Sequence, residues 1–283
     1  NDETAEDWKK MFEFLDFFNY SFFNRAIILS ILAGLSCGII GVWILLLNIP
    51  FIGVTIAHCA FAGAIIGLFA GINPVISGFI FSILAAIIIS PLSKKAKTNS
   101  NISVGLLFSF SLATAFIFAS LFKEHLTDIF SLFWGNLLIS SSQDIIVNII
   151  ITIILILFTI LFHRGIIALF FNREISKSCG IPESLIFTLI FLLICSTISL
   201  NLKSIGGLLI YSLISLPAAT AYQLTYNLKT MYFLSVLFAV SACIAGLLFS
   251  TLVSLPVGAT IILVSCVIFF VSLFFSKRKN YKK

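Results

Sequence analysis

A helix needs about 20 consecutive apolar residues to cross roughly 30 Å of hydrocarbon, and this chain offers nine runs of about that length. They lie at approximately 25–49, 52–71, 74–93, 102–122, 144–163, 184–201, 205–225, 231–250 and 257–276. A water-soluble core could not hide so many. Of the 283 residues, 60% are hydrophobic and only 10% charged, against about 45–50% and about 25% in soluble domains. The pattern predicts an all-α polytopic membrane protein with about nine transmembrane helices, in the range eight to ten, and it excludes a soluble enzyme. The run holding Gly206, Gly207 and Pro217 is the best candidate for a broken or re-entrant helix, because irregular backbone survives at membrane depth only where protein covers it.

Charge gives the orientation. Asp2, Glu3, Glu6, Asp7, Glu13 and Asp16 place six of the eleven acids at the start, so that from residue 17 on 15 Lys and Arg face 5 Asp and Glu. The basic residues collect in short connections: Lys94, Lys95 and Lys97; His163, Arg164, Arg173 and Lys177; Lys229; and Lys277, Arg278, Lys279, Lys282 and Lys283. Nine crossings put all four groups on one side, which is then the cytoplasm. Spread over loop ends rather than along a stripe, this charge is a topology signal and excludes nucleic acid as a partner. Trp8, Met11, Phe12, Leu15, Phe18 and Phe22 recur at helical spacing opposite charged residues, which predicts an amphipathic interfacial helix over 1–23. The expected division is that helix, a transmembrane domain over 24–276 and a basic cytoplasmic tail over 277–283. The first residues lack the basic region and short apolar core of a secretory signal, so no cleavage is expected. The six cysteines show no C-x-x-C spacing and mostly sit in apolar runs, where Cys acts as a small hydrophobe.

Small residues repeat at Gly34, Gly38 and Gly41, at Gly63, Gly67 and Gly71, and at Ala242, Gly246 and Ser250. Such rows let helix backbones touch in lipid, and packing within the bundle is favoured over a dimer seam. Past the N-terminal stretch every acid lies in a loop or at a helix end, which weakens the reading of an ion-coupled carrier. His58 is the ionisable residue deep in an apolar run, and a neutral imidazole is the commonest metal ligand. The competing reading is a neutral packing histidine bonded to a carbonyl or to Thr55. Cys59 points about 100° away from it, which suits packing better than a second ligand. No phosphate-cradling G-x-x-x-x-G-K-[ST] run occurs, so any use of ATP requires a partner. The segment 163–183 carries Phe170, Phe171, Asn172, Arg173 and Glu174 before Gly180 and Pro182, which fits either a solvated loop or a short amphipathic helix docked into another protein.

Two stretches carry a family resemblance: Gly38-Ile-Ile-Gly41 through Ala57-His58-Cys59-Ala60 to Asn73-Pro74, and Ser204-Ile-Gly-Gly through Leu216-Pro217-Ala-Ala-Thr-Ala221. With Phe133-Trp134-Gly135-Asn136, Cys179-Gly180-Ile181 and Pro256-Val-Gly258 in order, they resemble the permease subunits of the ABC-type divalent-metal (zinc, manganese or iron) importers, the ABC-3 family, over roughly 25–276. The resemblance implies a type II ABC-importer-like bundle in the bacterial plasma (inner) membrane. It also implies a permease homodimer, a cytoplasmic ABC ATPase docked on 163–183 through Phe170, Phe171, Asn172, Arg173, Glu174 and Gly180, and an extracytoplasmic metal-binding protein. The chain itself would be no enzyme and would bind no cofactor, the metal being its substrate. His58 is then the candidate transit ligand, and Thr55, Cys59, Ser212, Ser215, Pro217 and Thr220 line the path. The family's acid four residues before the histidine is Val54 here, its arginines after the first span are missing, and Asn136, Asn172 and Ser254 are neutral. Imidazole ligation without carboxylates leans toward zinc, with manganese or iron as the alternative. A carrier or channel without an ATPase, an intramembrane enzyme, and a diverged non-metal transporter or non-transporting relative with a degenerate metal site are the other readings.

Overall fold

The computed structural model describes residues 20–49, 51–95, 100–121, 135, 137, 141–171, 180, 182–253 and 255–276. The described residues form ten helices and no strand. They are α1 (Ser21–Leu46), α2 (Ile52–Phe69), α3 (Pro74–Lys95), α4 (Ser100–Leu121), α5 (Ser142–Leu161), α6 (His163–Phe171), α7 (Glu183–Ile205), α8 (Gly207–Leu224), α9 (Leu228–Val253) and α10 (Val257–Phe274). The nine apolar runs are the nine longer helices, and α6 is the short extra one. Seven are long and apolar enough to cross a membrane, and the apolar parts of α3 and α8 are shorter, Pro74–Ile89 and Leu209–Leu224. Sixteen residues rise about 24 Å, less than the hydrocarbon thickness. Residues 1–19 of the expected 1–23 surface helix and the 277–283 tail lie outside the described residues; Tyr20 is the N-cap of α1, and Ser21, Phe22 and Phe23 belong to α1.

Local chemistry sets the helix ends. Asn73 Oδ1 accepts from Val75 N at 2.9 Å ahead of Pro74, whose missing N–H costs nothing at a first helical position. Ser141 and Asp144 cap α5 reciprocally, each side chain accepting from the other's backbone N–H. Gly206 alone separates α7 from α8; its φ of 89° is open to glycine and strained for other residues. The expected break is therefore at Gly206 and not at Pro217, through which α8 continues. Neighbouring helices cover the buried Leu213 and Pro217, so the turn whose hydrogen bond proline removes is shielded from lipid.

The glycine rows pack within the chain as expected, except at Gly71, where a Cβ would meet nothing within 4 Å. A Cβ on Gly34 would stand 2.8 Å from Val240 Cα, and one on Gly38 2.8 Å from Val236 Cα, so α1 and α9 touch backbone to backbone. Gly41 lies against the Ile214 carbonyl of α8, Gly63 against Phe81 and Gly67 against Ser77 of α3, and Gly246 against Ile261 of α10. Lipid tails are as apolar as leucine, so this close approach supplies the dispersion that holds the bundle. Polar bonds add to it: Trp43 Nε1 donates to Tyr232 Oη at 2.8 Å, and Ser235 Oγ to Gly38 O at 2.8 Å. The helices α1 and α2 are largely enclosed, whereas α4, α5, α9 and α10 turn most of their surface outward. The exposed isoleucines, leucines and phenylalanines of that surface are what a lipid-facing shell requires.

Candidate functional site

His58 stands in the middle of α2, 6% exposed. Its Nδ1 donates to Val54 O at 2.9 Å, one turn earlier on the same helix, and its ring meets Phe108 of α4 edge-on at 4.8 Å between centroids. With the Val54 carbonyl accepting, the ring proton is held on Nδ1 and the tautomer is fixed. The residues on either side are spent on α4 as well. Thr55 Oγ1 donates to Val104 O at 3.2 Å, and Cys59 lies beside Ser111, whose hydroxyl donates to Phe108 O at 2.9 Å on its own helix. Val104, Phe108 and Ser111 thus form one stripe of α4 that seats this part of α2, a pairing no pattern in the sequence announced.

A second polar seam ties α3 to α7. Ser199 Oγ donates to Ser82 Oγ at 2.7 Å, and Cys195 Sγ lies 3.5 Å from Ser82 O. Of the α8 residues expected along the path, Ser212 and Ser215 are half-buried, Pro217 is buried, and the buried Thr220 donates to Leu216 O at 2.8 Å on its own helix. Helix α8 meets α2 at Gly53, against Ile214, which is five residues or about 7.5 Å along the helix from His58. His58, Thr55 and Cys59 therefore form one group against α4, and the contact of α8 with α2 at Gly53 is made by Ile214. Among the described residues no three of His, Cys, Asp and Glu come together to hold a metal.

At the end of the bundle where α1 and α8 finish, a cleft of about 220 Å³ is lined by Leu46, Phe170, Phe171, Tyr222, Tyr226 and Met231, with Ile167, Thr225 and Leu228 completing it. Helix α6 sits beside it with Gly165, Ile166 and Leu169 buried. The two aromatics expected to act together part company here: Phe170 packs on the core, and Phe171 is 87% exposed. Gly180 has a φ of 69°, and its Cα faces open space. Asn172, Arg173 and Glu174 lie outside the described residues.

Sequence reading passed over Asn148 and Asn201, both 1% exposed inside apolar helices. The signal was available, since an amide at that position is costly unless something meets it.

Residues 19–276 match the ABC 3 transport family. The chain belongs to that family. It is 30% identical over 269 residues to the manganese transport system membrane protein MntC of Halalkalibacterium halodurans, which covers 95% of this chain and 92% of that one. The manganese import system permease protein ScaB of Streptococcus gordonii is 29% identical over 265 residues, 94% of this chain and 95% of its own. The solved structure described as PsaBC from Streptococcus pneumoniae in complex with Fab superposes with a TM-score of 0.86 at 27% identity, covering 96% of this chain and 98% of the other. This ABC 3 transport family permease is thus a membrane protein whose described residues fold into helices, and its fold is that of a metal ABC transporter permease.

Proposed function

We propose that the chain is the membrane-spanning half of an ATP-driven importer that carries a divalent transition metal, manganese, into the cytoplasm. What supports the reading most is its likeness, over more than nine-tenths of its length, to permeases named for manganese transport. The lean toward zinc is corrected on the same ground. It rested on His58 as a lone soft donor, and the path residues expected beside it, Thr55, Ser212, Ser215 and Thr220, carry hydroxyl oxygens, harder donors that suit manganese better than imidazole alone does.

In this reading His58 is the transit ligand, binding through Nε2 while Val54 O holds the opposite nitrogen. The end bearing α6 and the aromatic cleft faces the cytoplasm, as the basic connections require. There α6 docks a partner ATPase through Phe171, and Phe170 ties α6 to the bundle. Two permease copies assemble, and an extracytoplasmic protein delivers the metal. Radioactive manganese uptake into proteoliposomes, with the ATPase and binding protein present, tests it. The expected result is ATP-dependent accumulation. Uptake by the permease alone without nucleotide would replace this reading by that of a carrier.

A further inference from the structure

The cleft beside α6 lies where several helices stop. There α1 ends at Leu46 and α8 at Leu224, α9 begins at Leu228, and α10 ends at Phe274. In a bilayer such a level is the boundary between hydrocarbon and headgroups, and Tyr222 and Tyr226 of the wall are of the residue type that settles at it. Tyr226 and Phe171 are exposed, so the cleft opens outward. Its walls are apolar or aromatic except for Thr225. An acyl chain lying against such a wall forfeits dispersion contact if it stays out of the cleft. A partner's helix is too thick for 220 Å³, because one turn of 5.4 Å at a diameter of about 10 Å takes up about 400 Å³.

Charge around the cleft selects the headgroup. The stretches that border it, 46–52, 163–171, 222–231 and 274–279, hold no acid and carry Arg164, Lys229, Lys277, Arg278 and Lys279. Arg164 precedes Ile167 by three residues and Phe171 by seven, which puts it on the face of α6 that lines the cleft. It is exposed, and among the described residues no acid pairs with it. Lys229 follows the lining residue Leu228 and is exposed as well. Ser276 Oγ donates to Gln223 Oε1 at 2.8 Å, which ties the end of α10 beside Tyr222, and Lys277, Arg278 and Lys279 follow in sequence. Those three bases are poor occupants of the cleft themselves, since Arg164 and Lys229 repel them.

We propose that the cleft holds one acyl chain of an anionic phospholipid whose phosphate is bound by Arg164, with Lys229 and the bases at 277–279 adding to the positive field. The inference goes beyond metal import and rests on that reading only in naming this end cytoplasmic. A lipid tail gains little by exchanging bilayer for an apolar wall, so the acyl chain fixes the place and the charges decide which lipid stays. The bound lipid touches α6 together with the ends of α1, α8 and α9, and so ties the short helix to the bundle.

The test is native mass spectrometry of the full chain in detergent, titrated with phosphatidylglycerol or with phosphatidylcholine of the same acyl chains. Phosphatidylglycerol should bind about tenfold tighter, and inorganic phosphate should not displace it. Arg164→Gln should weaken its binding about fivefold, the effect of one basic residue at an anionic surface. Lys203→Gln removes the same charge at the opposite end of the bundle, where Lys203 pairs with Asp144, and should leave binding unchanged. Leu228→Trp, which fills the cleft, should expel the lipid while the unfolding midpoint in lipid-free detergent holds. Arg164 is exposed, so its variant keeps the fold and decides the case even where the tryptophan fails to pack. Equal binding of the two lipids, parental binding by Arg164→Gln, or an equal loss in Lys203→Gln overturns the site. Displacement by inorganic phosphate would make it an anion site without lipid, and loss of the lipid when the ATPase is added would give the cleft to that partner; either result also overturns the proposal. No arm involves metal, so failed manganese uptake would overturn the import reading alone.

Discussion

Replacing Gly38 by alanine should separate α1 from α9. The new Cβ would stand 2.8 Å from Val236 Cα, 3.1 Å from Val236 N and 3.2 Å from Ser235 O, all backbone atoms that no rotamer change can move. Ordinary contact starts at 3.4 Å, so α9 must retreat by about 0.6 Å at its nearest atom. The same retreat draws the 2.8 Å bond from Ser235 Oγ to Gly38 O toward the limit of a hydrogen bond. Overpacking of this kind costs about 1–3 kcal/mol, and an interhelical hydrogen bond in a membrane protein contributes about 0.6 kcal/mol on average. Alanine's better helix propensity returns about 0.5–1 kcal/mol, which leaves a net loss of about 1–3 kcal/mol. Gly105 of α4 is the control, because a Cβ there meets nothing within 4 Å and only the propensity gain remains. The midpoint of reversible unfolding in mixed detergent should therefore fall for Gly38→Ala and hold or rise for Gly105→Ala. Equal stability of the two variants would refute close backbone packing as the cause of the small-residue row.

Phe171→Ser should release the ATPase on co-purification, at a cost above about 2 kcal/mol of binding if the ring is an anchor, while the permease unfolds at its parental midpoint; Phe170→Ser should lower that midpoint. Equal effects of the two would contradict the division of labour seen on α6. His58→Ala should abolish metal uptake yet keep membrane insertion and ATPase association, and Val54→Asp, one turn away on the same face, should favour manganese over zinc in competition assays. Parental uptake by His58→Ala would make the histidine a packing residue. Single cysteines at Ser100 and Asn280, in a cysteine-free background, should both resist impermeant thiol reagents in intact cells, and labelling of one alone would break the nine-crossing topology.

Much of the fold was legible without coordinates because the bilayer leaves few choices. Apolar runs of fixed length must be helices, since no water is present to satisfy a strand edge, and all nine runs became helices with ends shifted by a few residues. The glycine rows announced close approach, and Gly206 with Pro217 announced irregularity. Hydropathy could not tell which of the two would break the chain. That depended on the cover α8 finds for its proline turn, whereas Gly206, in a backbone conformation suited to glycine, turns the chain under Gly135. The composition also marked His58, because a lone imidazole in an apolar run stands out. Its neighbours Val104, Phe108 and Ser111 are ordinary residues on a helix more than forty positions away, and only the packing of α2 on α4 brings them to it. Likewise Phe170 and Phe171 are indistinguishable as letters, and the face that α6 turns to the bundle makes one a tether and leaves the other exposed. Lys203 and Asp144 are ordinary charges near helix ends when taken one by one. They meet across α5 and α7 because of the register between the two helices, which is a property of their contact and not of either sequence.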